Sequence, residues 1–266
     1  MVRRLIVLSL LCVSTAYAVS LKDLVARLSE NVSAPIMYGT SVNLDGSNEW
    51  MDQRALYLLD GASSYSISAW VYSMGLNTNY PGIYTARGTL LNGLSITPQT
   101  NGACPVFYAG GRNSYSTTAL PTNTWVHLVG IAVMSNAPKL YVNGVIADIV
   151  GTNIQTSFFN DGYWTIGSES RNNYTDREFK GLIDECVLWK NRVLTTNEIA
   201  ELATGVKVET NKNFSSTGVS MNTGLLRLNH LDGTGSDSNI VDSKSGTLWT
   251  GHQIGSGDWT NGIVPQ

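Results

Sequence analysis

The sequence has 266 residues, of which 42% are hydrophobic and only 14% are charged. The apolar fraction excludes a wholly disordered chain, and the formal net charge of −3 gives no basic footprint for nucleic acid. Three His and three Cys are scattered along the chain, so little material exists for a zinc site. The 26 glycines are typical of a chain with many turns rather than long helices.

The N-terminus has the features of a secretory signal peptide. Arg3 and Arg4 precede the apolar run 5–13, which ends near Ala16-Tyr17-Ala18. This pattern predicts a signal peptide over residues 1–18, with a buried N-terminal helix of an assembly as the alternative. The run is too short to span a bilayer, and no other segment is apolar enough to do so. We therefore expect a secreted protein with no membrane span after cleavage, or a subunit of a virion or cell-surface particle.

Residues 19–34 are expected to form an amphipathic helix or a linker. Ser20 can cap the helix, and an apolar stripe repeats at i, i+3, i+4 and i+7. The stripe consists of Leu21, Leu24, Val25 and Leu28. The helix lies on its own domain or binds a partner.

From residue 35 onward the hydrophobic period changes to two. Tyr65, Ile67, Ala69 and Val71 alternate with the other side chains of one strand, which predicts one core face and one outer face. The segment 125–133 is apolar on both faces and suits a central strand. Residues 163–167 and 179–189 are further strand segments.

One hairpin and one helix have specific local signals. Asn143-Gly144 separates the strand segments 139–142 and 145–149, and this dipeptide favours a type I′ turn. Thr195 and Glu198 form a capping box before an apolar stripe, and Gly205 suits the end of that helix. The fold class predicted is all-β, a two-sheet antiparallel sandwich with short peripheral helices.

Five segments, in this order, resemble the laminin-G-like, concanavalin-A-like jelly roll of the lectin and glucanase superfamily. They are Ser41-Val42-Asn43-Leu44-Asp45-Gly46-Ser47, the strand 65–71, Trp125-Val126-His127-Leu128, Leu140-Tyr141-Val142-Asn143-Gly144, and Phe179-Lys180-Gly181-Leu182-Ile183-Asp184-Glu185 with the helix after it. The resemblance implies a jelly-roll domain over residues 35–205. It does not settle function, because this fold serves lectins, adhesion modules, enzyme appendages and virion proteins.

The C-terminal part, residues 206–266, resembles the first segment of such a domain. In this chain that segment follows the domain instead of preceding it. The resembling segments are 224–233, 241–243, Gly246-Thr247 and Trp259. Three explanations are open. The segment completes the sandwich of its own chain, it exchanges strands with a neighbouring chain, or it is an incomplete second domain.

A catalytic role is not expected. Retaining glycosidases need two carboxyl groups about 5 Å apart, and the related glucanases carry Glu-x-Asp-x-(x)-Glu on a strand. Here the corresponding run is 183–187, in which Asp184 and Glu185 point to opposite faces and position 182 is Leu. A degenerate glycoside hydrolase remains the alternative, and the expected role of Asp184 is to accept loop amides.

Two loop regions gather the groups that carbohydrate binding needs, namely aromatic rings for stacking and polar groups for directed hydrogen bonds. The candidate ligand-binding residues are Tyr163, Trp164, Arg171, Asn172, Asn173 and Tyr174 in one region, and Arg112 and Tyr115 with Asn113 in the other. The alternative is that Trp164 belongs to the core and the loops are merely polar.

Calcium is the one cofactor expected, because laminin-G-like domains often carry it at the sandwich rim. Hard cations take several oxygen ligands, and the candidate ligands are Asp161, Asp176 and Glu178; the alternative is solvated turn residues. After signal cleavage Cys104 and Cys186 remain. They are a disulfide candidate in an oxidising compartment, or two buried thiols.

The function predicted is a secreted, non-catalytic module that binds carbohydrate or another extracellular ligand, so its partner is a glycan or an extracellular protein. The alternative is a structural protein of a virion, fibre or cell surface on the same fold, with self-association through the C-terminal segment.

Overall fold

The computed structural model describes residues 40–53, 55–76, 80–147, 156–158, 162–169, 177–231, 239–252, 254 and 258–261. The predicted signal peptide (1–18) and the predicted helix within 19–34 lie outside these residues. The described chain forms two antiparallel sheets that pack face to face. This confirms the predicted all-β sandwich.

Sheet 1 contains eight strands. They are β1 (Thr40–Asp45), β3 (Ser64–Ser73), β8 (Trp125–Val133), β9 (Lys139–Val142), β10 (Val145–Ile146), β12 (Lys180–Lys190), β13 (Leu225–Asn229) and β16 (Trp259–Asn261). Their order is β10-β9-β8-β3-β12-β1-β16, and β13 lies beside the second half of β12.

Sheet 2 also contains eight strands. They are β2 (Trp50–Gln53), β4 (Gly82–Arg87), β5 (Leu91–Gln99), β6 (Gly102–Ala109), β7 (Arg112–Tyr115), β11 (Trp164–Ile166), β14 (Asn239–Val241) and β15 (Leu248–His252). Their order is β14-β15-β2-β11-β4-β5-β6-β7.

The core between the sheets comes from the alternation seen in the sequence. Tyr65, Ile67 and Val71 of β3 are fully buried in this core, which confirms the predicted inner face of that strand. Sheet-to-sheet contact is close at Gly130 of β8, where an added Cβ would lie 2.2 Å from a ring carbon of Phe107 on β6. A glycine at position 130 is therefore what allows the aromatic ring of sheet 2 to reach the backbone of sheet 1.

The predicted hairpin is confirmed. Asn143 and Gly144 have φ values of 50° and 81°, as a type I′ turn requires, and Val142 pairs with Val145. The second strand ends at Ile146, so it is shorter than the predicted segment 145–149. Both of its residues are exposed, because β10 is the edge of the sheet.

Helix α1 (Thr196–Leu202) begins as predicted. The Thr195 side chain accepts a hydrogen bond from the Glu198 backbone, and the Glu198 side chain accepts one from the Thr195 backbone. Ile199 and Leu202 pack with Trp189 in a second apolar cluster, on the face of sheet 1 that points away from the core. The helix thus covers part of the sandwich instead of standing alone.

The C-terminal strands pair with strands from the first part of the same chain. Leu228 of β13 is opposite Val187, Gly251 of β15 is opposite Met51, and Trp259 of β16 is opposite Val42. The segment after residue 205 therefore occupies positions in both sheets. Completion within one chain and exchange with a neighbouring chain would use these same pairings.

Candidate functional site

A polar row crosses the outer face of sheet 2. The strand register places its members opposite one another, from β7 to β2, in the order Asn113, Tyr108, Gly93, Thr85, Thr165 and Asp52. Neighbouring residues of β6, Phe107 and Ala109, belong to the core, so the row points away from it. The alternation of the sequence places polar side chains on this face.

A short ribbon, formed by residues 168–169 and 177–178, lies over this row and is fixed by hydrogen bonds. The hydroxyls of Thr85 and Thr165 donate to the Ser168 carbonyl over 2.9 and 2.6 Å, and Ser168 forms a bridge with Glu178. The approach requires glycine at position 82, because a Cβ there would lie 2.3 Å from the carbonyl carbon of Ser168. The ribbon therefore holds Glu169 and Arg177 beside the ends of β4 and β5.

Between the ribbon and the strand ends lies a cleft of about 350 Å³, which we call the sheet 2 cleft. It is lined by Tyr80, Arg87, Gly88, Thr89, Leu90, Leu91, Tyr108, Gly111, Glu169 and Arg177. Residues 170–176 connect two of these lining residues, Glu169 and Arg177, in the chain.

Two cations meet one carboxylate in this cleft. Arg177 Nη1 donates to Glu169 Oε1 over 2.7 Å, and Arg87 forms an ion pair with the same oxygen. Glu169 is only 1% exposed, whereas both guanidinium side chains reach the surface. Among the described residues that line the cleft, two positive charges and one negative charge leave a net charge of +1.

Two tyrosines supply the aromatic surface. Tyr80 is 38% exposed, and the Arg177 guanidinium carbon lies 5.5 Å from its ring centroid, within the range of a cation–π contact. Burial raises the pKa of the Tyr108 hydroxyl, and Tyr80 adds to this effect, while Arg87, Arg177 and the hydrogen bond with Asn113 oppose it. Tyr108 therefore keeps its proton at neutral pH.

The described residues of the cleft can bind a ligand, and they include no pair of carboxyl groups for catalysis. Rings, guanidinium donors and one carboxylate acceptor converge on a concave surface, which is how proteins orient polar ligands with apolar faces. Retaining glycoside hydrolysis needs two carboxyl groups, and Glu169 is the one carboxylate among the described residues that line the cleft.

The predicted ligand-binding residues of the first region separate into three groups. Tyr163 is 42% exposed, and the pairing of Trp164 with Ala86 places Tyr163 next to Arg87. Trp164 itself is fully buried and packs against Tyr84 with ring centroids 5.2 Å apart. This agrees with the alternative prediction, in which Trp164 belongs to the core. The predicted residues Arg171, Asn172, Asn173 and Tyr174 lie outside the described residues.

The second predicted loop borders the cleft. Arg112 follows the lining residue Gly111 and is exposed, while Tyr115 is partly buried on β7. Asn113, between them, carries the hydrogen bond to Tyr108. These residues form strand β7 and not the predicted loop, and they contact the cleft through Asn113.

Asp184 and Glu185 lie at a register shift in β12. Asp184 is buried, and its Oδ1 accepts the N–H of Glu185, the next residue of the same strand, over 2.8 Å. The predicted bonds to loop amides stay a prediction. Glu185 has φ +48°, and its carboxylate bonds to His230 Nδ1 over 2.8 and 3.0 Å. Lys207 Nζ lies 3.7 Å from the same carboxylate. Glu185 thus pairs with two basic side chains at the register shift of β12.

One of the three calcium ligands predicted from sequence, Glu178, lies among the described residues. Glu178 is fully buried and is therefore not at an open rim, and Asp161 and Asp176 lie outside the described part of the chain. Within that part, no group of three or more His, Cys, Asp or Glu is arranged to hold a metal ion. Calcium binding stays a prediction.

The expected disulfide is not formed. Cys104 and Cys186 are buried free thiols. Cys186 belongs to the core cluster, whereas Cys104 lies on β6 at the same face as Val106 and Tyr108, which points away from the core. Burial raises the pKa of both thiols, so both stay protonated at neutral pH.

A family model described as the concanavalin A-like lectin/glucanases superfamily matches residues 45–200, more than half of the chain. The chain belongs to this superfamily. The resemblance of the five ordered segments is thereby confirmed. A search of curated proteins finds no match.

Two solved structures have the same fold, and a third is less similar in structure. A candidate carbohydrate-binding protein from Bacteroides ovatus has 20% identity and a TM-score of 0.59 over 87% of this chain, which spans 62% of that structure's length. A SAP-like pentraxin from Limulus polyphemus has 12% identity and a TM-score of 0.50, with 74% of this chain and 94% of the pentraxin covered. Domain 4 of the extracellular arabinanase AbnA from Geobacillus stearothermophilus has 26% identity and a TM-score of 0.47, over 61% of this chain and 76% of that one.

Sequence reasoning missed most residues of the cleft. The pairs Arg87–Glu169 and Tyr80–Arg177 lie far apart in the chain and meet because the ribbon lies beside β4. The available signal was position: Glu169 and Arg177 flank the segment 170–176 in which binding residues were predicted.

No helix among the described residues has the length and apolar character needed to cross a membrane.

Proposed function

We propose that this chain is a non-catalytic carbohydrate-binding module that receives a sugar in the sheet 2 cleft. The observation that carries the proposal is the convergence of Tyr80, Tyr108 and the Arg87–Glu169–Arg177 group on one concave surface. Sugar rings have apolar faces that stack on aromatic side chains and hydroxyls that take directed hydrogen bonds. Membership of a superfamily that includes lectins supports this function.

The exposed ring of Tyr163 extends the proposed surface. It lies beside Arg87 by strand register and is accessible to solvent. A sugar longer than one unit would pass from the cleft onto this ring. Tyr163 is thus the sequence-predicted residue that fits the proposed site best.

A glycan array followed by titration tests the proposal. The wild-type protein is expected to bind a defined set of sugars, and Tyr108→Ala is expected to weaken binding about tenfold, because an aromatic contact is lost. Tyr57→Ala is the matched control, since Tyr57 is exposed and does not line the cleft. A folded wild-type protein that binds no sugar, or a Tyr108→Ala variant that binds as well as Tyr57→Ala, would contradict the proposal.

Secretion belongs to the same proposal. The basic start and the short apolar run of residues 1–18 favour export and cleavage after Ala18. Expression in a secreting host should give a protein in the medium whose first residue is Val19. Intact protein beginning at Met1 inside the cell would contradict this part of the proposal.

The second candidate function is a structural subunit of a particle or fibre. It is favoured by the C-terminal strands, which fill positions in both sheets and could make the same pairings with a neighbouring chain. Concentration-dependent polymers that retain the pairings would favour this candidate over a monomeric binding module.

A further inference from the structure

We infer that the sheet 2 cleft selects sugars that carry a negative charge, a carboxylate or a sulfate group. The inference rests on the proposed function and names the ligand class of the same site. It follows from the three charged side chains in the cleft and from their burial.

The described residues that line the cleft carry a net positive charge, although the protein as a whole is acidic. Arg87 and Arg177 share the single oxygen Glu169 Oε1, so the carboxylate neutralises one of the two guanidinium charges. The whole chain has a formal net charge of −3. A net positive charge in a concave surface focuses the field and attracts anions.

Burial makes the charge effective. Glu169 is almost completely enclosed, and both arginine side chains are only about one-fifth exposed, at 18% and 20%. Charges in such a position are screened by salt less than charges on an open surface. An anion held there interacts more strongly than it would at an exposed arginine.

The donors also have suitable geometry. A guanidinium group presents a planar fork of N–H donors that matches the two oxygens of a carboxylate and also suits a sulfate. The Arg177 guanidinium is positioned by two contacts, the bond to Glu169 and the Tyr80 ring. Because the group is already oriented, less side-chain freedom is lost when an anion binds.

The aromatic residues make a sugar anion a better fit than a small inorganic ion. Tyr80 and Tyr108 line the same cleft as the arginines, so a ring face and an anionic group of one ligand can both be satisfied. The cleft volume of about 350 Å³ is at the lower end of the range for small-molecule sites. It suits one or two sugar units.

The test is an array of matched pairs in which each acidic sugar stands beside its neutral parent. The pairs are glucuronides with glucosides, sialylated with desialylated chains, and sulfated with unsulfated chains; the last pair separates sulfate from carboxylate recognition. The wild-type protein is expected to prefer the acidic members about tenfold or more, with an affinity that falls as salt rises.

Two substitutions should move the acid-to-neutral affinity ratio in opposite directions. Arg177→Gln removes a positive charge and should lower the ratio about tenfold, while Glu169→Gln removes the negative charge at nearly constant shape and should raise it. Lys139→Gln is the matched control, because Lys139 is an exposed cation on β9 of the other sheet. If Arg177→Gln fails to fold, Glu169→Gln and the salt dependence of the wild type still decide the matter.

The outcomes separate this inference from the proposed function. Sugar binding in which acidic and neutral members are equal, or a ratio that Glu169→Gln leaves unchanged, would overturn the charge selection and leave carbohydrate binding in place. A folded protein that binds no sugar of either kind would overturn both.

Discussion

At the scale of single residues, folding strongly raises the pKa of Glu49. It is 8% exposed in the segment between β1 and β2, and its carboxylate accepts the Asp45 N–H. Burial raises its pKa from 4.5 to about 7, the hydrogen bond with the Asp45 backbone opposes this, and the nearby negative charges of Asp258 and Asp45 add to the rise. The folded protein therefore binds a proton at this site more tightly than the unfolded chain.

Glu49→Gln should stabilise the protein at pH 8 and have little effect near pH 4. A raised pKa in the folded state gives a stabilisation that is complete below about pH 4.5 and is lost as the pH rises through about 7. The neutral amide does not ionise, so the variant avoids this loss. Its free energy of unfolding at pH 8 should exceed that of the wild type by roughly 1 kcal/mol or more. The measurement is the free energy of unfolding by denaturant at both pH values.

Asp60→Asn is the control for the Glu49 experiment, since it removes the same charge from an exposed turn. Equal effects of the two substitutions, or a Glu49→Gln effect that is the same at pH 4 and pH 8, would contradict the assignment of the pH dependence to Glu49.

At the scale of elements, Thr195 caps the start of helix α1, and this helix covers part of the outer face of sheet 1. Thr195→Ala removes the side-chain acceptor for the Glu198 backbone N–H and should cost about 1 kcal/mol of stability. Thr196→Ala, one residue later and exposed, should cost much less. Chemical denaturation of the two variants measures the difference, and equal losses would show that the cap is not what stabilises the helix.

The elements themselves were largely predictable because their signals are local. The period of two in β3, the Asn143-Gly144 turn and the Thr195 capping box each depend on residues within one strand, turn or helix end. The length of β10 was not predictable, because an edge strand ends where pairing with β9 stops. That limit depends on the neighbouring strand and not on the residues of β10.

The cleft depends on contacts that no local pattern encodes. Tyr108, Arg87 and Arg177 are brought together by the order of strands in sheet 2 and by the ribbon that Gly82 admits. Tyr163 could be found from the sequence because an aromatic at a strand end is a local feature. The buried Trp164, one residue later, shows that alternation decides which of two adjacent aromatics reaches solvent.

At the scale of the whole molecule, we propose that residues after 205 complete the sandwich of their own chain. Trp249 is fully buried in the core and packs against Tyr84 with ring centroids 5.9 Å apart, and Phe214 and Met221 are buried in the cluster under α1. Removing these side chains would expose both apolar clusters and the edges of β1, β2 and β12.

A chain truncated after Gly205 should therefore lose its cooperative unfolding transition, whereas a chain truncated after Asn261 should keep it. Thermal unfolding followed by circular dichroism measures this, with the mass of the full-length protein in solution as a second measurement. A truncated chain that folds as a monomer, beside a full-length chain that forms oligomers, would show instead that the segment exchanges between chains.

A crystal structure of the protein with a sugar identified on the array shows directly whether the sheet 2 cleft is the binding site. We expect a sugar ring against Tyr80 or Tyr108, with sugar oxygens within hydrogen-bond distance of Arg87 and Arg177. A sugar bound on another face of the sandwich, with the sheet 2 cleft holding only solvent, would contradict it.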